Sequence, residues 1–160
     1  PNKKRLSIKK INKIKLLIVP GGNDVSNILK TSKIRNNIEL NLIKICLKKK
    51  IPILGICRGA QLFAKYKKLK ITKCKGHMRT NHLVFFDKKF LNYKKKQQVN
   101  SFHNYCITPN KIKGIEYIAH DKDKKSEMFI YKKKNIFIMW HPERNKNFKE
   151  IDKLIKYFKK

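Results

Sequence analysis

The amino-acid sequence predicts one α/β domain of 160 residues, with a mostly parallel sheet flanked by helices. Two short, mainly apolar runs, 15–20 and 51–54, each lead into a glycine-containing turn, as buried strands do. Between them, 36–48 shows the apolar spacing of a helix packed on a sheet, which supplies the crossover that two parallel strands require. A third run, 136–140, is wholly apolar and is therefore expected to be a central strand.

The other elements follow along the chain. Residues 1–15 are a basic, poorly structured lead-in for which no regular element is predicted. The middle of the chain is less regular, and its short apolar stretches predict four more strands, at 82–86, 99–103, 115–119 and 127–131. The last element is an amphipathic helix whose apolar face consists of Phe148, Ile151, Leu154, Ile155 and Phe158. No repeat or linker divides the sequence, so 1–160 is predicted to be a single domain.

Charge is the most unusual property of the composition, because 42 Lys and Arg residues against 10 Asp and Glu give a formal net charge of +32. Such a charge is typical of nucleic-acid-binding proteins, but here the lysines are spread along nearly the whole chain. Only five of the 42 basic residues are Arg, the side chain that best reads bases and binds phosphates. We interpret the lysine excess as the compositional bias of an A+T-rich genome and predict no nucleic-acid partner. The positive field should still attract anionic small molecules.

The four cysteines show neither a C-x-x-C spacing nor the density of a disulfide framework, so reduced thiols in a cytoplasmic protein are predicted. The sequence shows no signal peptide and no apolar run of membrane-spanning length, and no membrane partner is expected. Cys74, His77 and His82 lie close together, but without a fourth ligand they favour a mobile loop over a metal site. Neither a metal nor another cofactor is predicted.

The stretch Gly55-Ile56-Cys57-Arg58-Gly59 carries the strongest functional signal. It joins a predicted strand to a predicted helix, and G-x-C-x-G in that setting is the cysteine form of the nucleophile elbow. The two glycines allow a turn too sharp for larger residues, and the thiol lies at a helix N-terminus, which favours the thiolate. The alternative is a buried structural cysteine, an interpretation that suits Cys46 in its apolar run better than Cys57.

A thiolate nucleophile needs a base, and the base needs an orienting partner. His141 follows the predicted central strand, at the edge where open α/β sheets place their active sites, and Glu143 lies two residues further on. The alternative is a surface loop with an incidental acidic residue. Acyl chemistry also needs donors for an oxyanion, and the backbone N–H groups of Arg58 and of the Gly21-Gly22 turn are the candidates.

Four motifs in this order resemble the class I, or triad, glutamine amidotransferases: Pro20-Gly21-Gly22-Asn23-Asp24-Val25, 52–61, Asn100-Ser101-Phe102-His103 and Trp140-His141-Pro142-Glu143-Arg144. The resemblance covers 16–158 and implies a flavodoxin-like fold that lacks its first strand–helix unit. It implies a catalytic triad made of Cys57, His141 and Glu143. It implies an oxyanion hole at Gly22 and Arg58. It also implies that substrate is bound by Gln61, Asn23, Ser101, Phe102 and His103.

The resemblance is closer to the free-standing branch that cleaves gamma-glutamyl amides, and in particular to the glutaminases of polysaccharide phosphoramidate biosynthesis. It implies that Cys57 forms a thioester. It also implies that gamma-glutamyl-CDP-amidate is hydrolysed to glutamate and cytidine diphosphoramidate for surface polysaccharide modification. The partner is then a small gamma-glutamyl molecule linked to a nucleotide. Two alternatives stay open: a glutaminase subunit that delivers ammonia to a partner synthase, and a truncated, inactive paralogue or basic binding module.

Overall fold

The computed structural model describes residues 13–22, 30–145 and 148–158, so the predicted basic lead-in lies almost entirely outside the described residues. Three helices are found within these ranges: α1 (Lys30–Lys48), α2 (Arg58–Tyr66) and α3 (Lys149–Tyr157). A single 3-10 turn covers Pro142–Arg144. The strands are β1 (Leu17–Val19), β2 (Ile53–Ile56), β3 (Lys70–Lys73), β4 (Met78–Phe86), β5 (Lys96–Phe102), β6 (Tyr105–Thr108), β7 (Ile115–His120), β8 (Ser126–Tyr131) and β9 (Asn135–Ile138).

The strands of the described part form one mixed sheet, whose main path is β1-β2-β9-β8-β7-β4-β5. Only β1, β2 and β9 pair in parallel, and the other neighbours are antiparallel. Beside this path, β3 pairs with β6, which in turn joins β8. The predicted α/β class is confirmed, but the sheet is mixed rather than mostly parallel. The strands after β2 follow one another through loops without helices, and such connections favour antiparallel pairing.

The three parallel strands determine where the candidate site lies. Ile56, the last residue of β2, is paired with Ile138, the last residue of β9, and β1 runs in register beside β2. Their carboxyl ends therefore lie at one edge of the sheet, where the turns that contain Gly21, Cys57 and His141 follow.

The hydrophobic core has two parts, because successive residues of β9 point to opposite faces of the sheet. On one face Phe137 stacks on Phe63 of α2, with 3.9 Å between the ring centroids, and Ile43 of α1 belongs to the same cluster. On the other face Ile138 belongs to the cluster that contains Leu154 of α3. The sheet is thus a middle layer with helices on both sides.

The helices differ from the prediction at their ends. α1 begins at Lys30, six residues before the predicted start, and α3 begins at Lys149. Phe148 was expected on the apolar face of the last helix, but it precedes that helix in a left-handed conformation and is 58% exposed. In the part of the chain that the structure describes, no helix combines the length and apolarity that crossing a bilayer requires.

Gly59, in the first turn of α2, is expected to tolerate no side chain. A β-carbon there would clash with the carbonyl oxygen of Val19, and neither backbone can move without shifting β1 or α2. We expect Gly59→Ala to lower the free energy of unfolding by about 2–3 kcal/mol, the upper part of the usual overpacking range, as measured by urea unfolding. Asn37→Ala, at an exposed position of α1, is the control, because it adds no β-carbon to a packed site. Equal losses in the two variants would contradict the expectation.

Candidate active site

Cys57 lies on the turn between β2 and α2 that its flanking glycines predict. Its φ of 48° and ψ of −102° fall in a region that residues other than glycine rarely occupy. Two backbone hydrogen bonds hold the turn: the Cys57 N–H donates to the Ile138 carbonyl at 2.7 Å, and its own carbonyl accepts from the Gln61 N–H at 3.0 Å. The first bond fastens the turn to the end of β9, and the second begins α2.

His141 follows β9 and is oriented by Glu143, whose Oε1 lies 2.6 Å from Nδ1 of the imidazole. The ring also packs on Gly21, where a β-carbon would clash with Cε1 of the ring and lie 3.4 Å from Nε2. Gly21 follows β1, His141 follows β9, and β2 lies between these two strands. The ring therefore reaches across the carboxyl end of β2, where Cys57 is placed.

Asn100 fixes the backbone of His141, a role for which the sequence analysis named no residue. Its Nδ2 donates to the His141 carbonyl at 2.9 Å, and its Oδ1 accepts from the His141 N–H at 2.8 Å. Phe102, on the same face of β5, meets the imidazole edge-on with 5.5 Å between centroids. The guanidinium carbon of Arg144 lies 4.0 Å from the Phe102 ring centroid. The signal that marks Asn100 in the sequence is its place at the head of the Asn-Ser-Phe-His motif.

Gly22, one of the two predicted oxyanion donors, packs against the side chain of Arg58, the other. A β-carbon on Gly22 would be 3.5 Å from Cδ of Arg58 and 2.6 Å from Nη1 of Arg35. The guanidinium of Arg58 is buried and donates to side chains of α1, namely Glu39 and Asn36. That side chain therefore ties α2 to α1, and the group of Arg58 suited to an oxyanion is its backbone N–H.

Of the predicted substrate-binding residues Gln61 and Asn23, the structure describes only Gln61. Gln61 lies one helical turn after Cys57, is 1% exposed, and donates through Nε2 to the Tyr105 carbonyl at 3.1 Å. This bond connects α2 to the first residue of β6, and the predicted substrate contact of Gln61 stays a prediction. Asn23 lies outside the described residues.

Ser101 and His103 point away from Phe102 and into a second, buried group of polar side chains. Ser101 Oγ donates to the His77 carbonyl at 2.6 Å, and the His103 N–H donates to the same carbonyl at 3.0 Å. The predicted substrate contacts of Ser101 and His103 stay predictions. We call the polar group that surrounds them the histidine–carboxylate cluster, which consists of His77, His82, His103, Asp121 and Glu127.

Burial sets the charges in the histidine–carboxylate cluster. Glu127 is fully buried, and desolvation raises the pKa of its carboxyl group. Desolvation also lowers the pKa of His103 to about 3, so its imidazole is neutral at physiological pH. The pKa of His77 is raised instead, because Asp121 hydrogen-bonds its ring, with Oδ2 3.2 Å from Nε2. The cluster is therefore a polar interior beneath one face of β5.

The cysteines correct two predictions. Cys74 and Cys106 form a disulfide with 5.8 Å between their Cα atoms, whereas reduced thiols were expected at all four positions. The antiparallel pairing of β3 with β6 brings the two residues together, although 32 positions separate them. The expected mobile loop around Cys74 and His77 is also wrong, since His77 is 6% exposed and lies between β3 and β4.

Fold and site together define a class of protein. A cysteine on a strained turn after a parallel strand, at the same sheet edge as a histidine oriented by a carboxylate, is typical of α/β enzymes that cleave amides through an acyl intermediate. The chain belongs to the class-I glutamine amidotransferase family, whose model matches residues 1–159.

The relatives agree with this assignment and confirm the predicted resemblance. Gamma-glutamyl-CDP-amidate hydrolase of Campylobacter jejuni is 41% identical over 150 residues, which span 91% of this chain and 70% of that protein. The carbamoyl phosphate synthase small chain of Helicobacter pylori is 35% identical over 75% of this chain and 32% of its own length. A solved glutamine amidotransferase from Thermotoga maritima shares the fold, with a TM-score of 0.70 and 21% identity over 98% of this chain and 66% of that one.

Proposed function

We propose that the protein hydrolyses a gamma-glutamyl amide through a thioester on Cys57, with His141 and Glu143 completing a triad. The observation that carries the proposal is the orientation of His141. Its Nδ1 faces Glu143 at 2.6 Å, and its ring crosses the end of β2, where the turn places Cys57. Nε2 is then the nitrogen that exchanges a proton with the thiol and with the leaving group.

In the first half of the reaction, the Cys57 thiolate attacks the gamma-carbonyl carbon of the substrate. The oxyanion accepts hydrogen bonds from the backbone N–H groups of Arg58 and Gly22, a pairing supported by the contact between Gly22 and the Arg58 side chain. The imidazolium of His141 gives its proton to the leaving nitrogen as the C–N bond breaks, and a thioester is left. In the second half, His141 takes a proton from water, the hydroxyl attacks the thioester, and glutamate and the free thiol are released.

The substrate we propose is gamma-glutamyl-CDP-amidate, which the protein would hydrolyse in the cytoplasm to glutamate and cytidine diphosphoramidate. The second product would then serve surface polysaccharide modification. The support is the 41% identity to a hydrolase named for that substrate. The net charge of +32 favours an anionic nucleotide over a neutral amide. In this proposal the gamma-glutamyl end is held by the predicted binding residues Gln61, Asn23, Ser101, Phe102 and His103.

A direct assay tests the proposal. The purified protein is incubated separately with gamma-glutamyl-CDP-amidate and with glutamine, and released glutamate is measured. We expect release from the nucleotide substrate, with a kcat/KM at least about 100-fold above that for glutamine, because the site must distinguish the leaving groups. A folded protein that releases glutamate from neither compound would contradict the proposal and favour an inactive paralogue.

A second candidate is a glutaminase subunit that passes ammonia to a synthase. It is favoured by the similarity to the carbamoyl phosphate synthase small chain, whose name describes one subunit of a larger enzyme. In that case glutamine would be the better substrate, and its hydrolysis would rise when a partner synthase is added. A stable complex on co-purification would identify that partner.

Asn100 is expected to be a positioning residue for this reaction. Replacing it with alanine removes both hydrogen bonds to the His141 backbone and leaves the side chain and its Glu143 partner intact. We expect Asn100→Ala to lower kcat by about 10–100-fold with little change in KM, since a small misplacement of a catalytic group is costly. Asn81→Ala, at the paired position on β4, is the control and should keep parental kinetics. If both variants behave alike, Asn100 does not position His141.

A further inference from the structure

Two short segments outside the proposed triad bring four metal-binding side chains together. Cys74 and His77 are three residues apart between β3 and β4. His103 follows β5, and Cys106 lies three residues further on, in β6. Such Cys/His pairs with two intervening residues are common in structural zinc sites. One ligand atom from each of the four residues lies within 4.8 Å of every other. Strands β4 and β5 separate the two pairs along the chain, so the fold, and not the sequence pattern, brings them together.

The backbone brings the two pairs into register. The Cys74 N–H donates to the Asn104 carbonyl at 2.9 Å, and the His103 N–H donates to the His77 carbonyl at 3.0 Å. The two segments thus run antiparallel, so that Cys74 faces Cys106 and His77 faces His103. The two imidazole centroids are 4.9 Å apart, and Cys74 Sγ lies 4.0 Å from His103 Nδ1.

The surroundings of both histidines suit a metal centre. His77 Nδ1 is buried without a hydrogen-bond partner, 3.6 Å from Glu127 Oε1, while its other ring nitrogen lies 3.2 Å from Asp121 Oδ2. His103 Nδ1 faces Cys74, while its Nε2 lies 3.8 Å from Glu127 Oε1. A metal-bound histidine usually directs its second nitrogen to a carboxylate or carbonyl, which fixes the ring. Both histidines therefore have Nδ1 available for a metal and a carboxylate behind it.

We propose that Cys74, His77, His103 and Cys106 form a tetrahedral Zn²⁺ site when the two cysteines are reduced. The disulfide is then the oxidised state of the same site. Reduction by a dithiol transfers two electrons and two protons to the Cys74–Cys106 bond, breaks it, and converts the reductant to its own disulfide. Zn²⁺ binding then displaces the two thiol protons, so two thiolates and two neutral imidazoles coordinate the ion. The inference does not rest on the proposed hydrolase activity, although His103 also belongs to the proposed substrate-binding residues.

The site has a structural consequence for the rest of the protein. Tyr105 lies between His103 and Cys106, and its carbonyl accepts the hydrogen bond from Gln61 of α2. Phe102, directly before His103, contacts the imidazole of His141. Binding of Zn²⁺ would thus stabilise the β5–β6 connection, which contacts both sides of the candidate active site.

Metal titration of the full chain tests the proposal. The protein is reduced with a phosphine, freed of metal with a chelator, and titrated with Co²⁺ and then Zn²⁺. We expect one equivalent of Co²⁺ to give the absorption of tetrahedral cobalt with a thiolate charge-transfer band, and Zn²⁺ to displace it. The oxidised protein should bind neither ion at this site. If reduced protein shows no thiolate–cobalt band, or only weak binding without defined stoichiometry, the proposal is wrong.

Matched variants identify the ligands. Cys106→Ser should lower Zn²⁺ affinity by more than about 100-fold, beyond the usual effect of losing an outer-shell partner. Cys46→Ser replaces a buried cysteine of α1 and should leave affinity unchanged. A second possible ligand group consists of His77, His82 and Glu127 and contains no sulfur. His82 belongs to this group alone, so His82→Gln distinguishes it from the proposed Zn²⁺ site. Loss of binding in His82→Gln with retention in Cys106→Ser would overturn the proposal. The cobalt spectrum of the parent protein decides the matter even if a variant fails to fold.

Discussion

Replacing Cys57 with alanine is expected to lower hydrolysis of the gamma-glutamyl amide by about 10⁴–10⁶-fold, as in triad enzymes that lose their nucleophile. Cys46, the other free cysteine among the described residues, cannot take its place, because it lies within α1 in the core cluster that contains Phe63, whereas Cys57 belongs to the other cluster. The substitution removes only a sulfur atom from a turn that backbone hydrogen bonds hold. Stability should therefore change by little more than the loss of one small buried group, and substrate binding should persist.

The control for this prediction is Cys46→Ala. It removes the same atom from a core position in α1, so it should reduce stability by about 1 kcal/mol and leave kcat within twofold of the parent. Steady-state release of glutamate measures both variants, and urea unfolding shows that both are folded. Comparable activity losses in Cys57→Ala and Cys46→Ala would show that the effect is structural and would remove the case for Cys57 as nucleophile.

Replacing His141 with glutamine is expected to have the second largest effect, a loss of about 10³–10⁵-fold in kcat, because no group then transfers protons to and from the thiol. Glutamine can keep a hydrogen bond to Glu143 but cannot act as a base. We also expect slower alkylation of Cys57 by iodoacetamide at neutral pH, since the thiolate loses its partner. Alkylation reports on the thiol alone, so it does not depend on the identity of the substrate.

The matched histidine control is His120→Gln. His120 lies on β7, where its Nε2 is 3.2 Å from Asp87 Oδ1, on a strand separate from the parallel strand ends that bear the candidate site. It should keep the parental rate of glutamate release and the parental rate of Cys57 alkylation. If His141→Gln retains more than a tenth of the parental activity, another group is the base and the proposed triad is wrong.

The sequence predicts the parts of this molecule that depend on local chemistry. Paired glycines around Cys57 dictate a sharp strand-to-helix turn, because a β-carbon at either would meet another element. The wholly apolar run 136–140 identifies a central strand, and His141 follows directly after it. These features need no knowledge of distant partners, so the family motifs and the candidate triad could be located from sequence.

What the sequence could not predict depends on contacts between distant segments. β3 and β6 are short and carry Lys, Tyr and Thr beside apolar residues, so neither shows a clear strand pattern, and they become strands by pairing with each other. That pairing also creates the Cys74–Cys106 disulfide. Asn100 and His141 are the contact between the most distant strands. Asn100 lies on β5, four strands beyond β9 along the sheet, yet the Asn100 side chain hydrogen-bonds the backbone of His141. Only a curled sheet can bring the two together.

The prediction of a mostly parallel sheet is wrong for a related reason. A strand–helix–strand order at the start of the chain predicts parallel pairing, and β1, β2 and β9 do pair in this way. The apolar runs between β2 and β9 carry no information about direction. Because they are joined without helices, they pair as antiparallel neighbours, and the parallel part is confined to the strands that support the candidate site.

The most direct test of the central claim is a search for the gamma-glutamyl thioester on Cys57. The protein is mixed with gamma-glutamyl-CDP-amidate, quenched in acid within the first turnover, and digested with trypsin. Cleavage after Lys50 and Arg58 yields the peptide 51–58, whose single cysteine is Cys57. We predict that this peptide gains the mass of one gamma-glutamyl group and that hydroxylamine removes it. Release of glutamate with no adduct on this peptide, and at an equal rate in Cys57→Ala, would contradict the account.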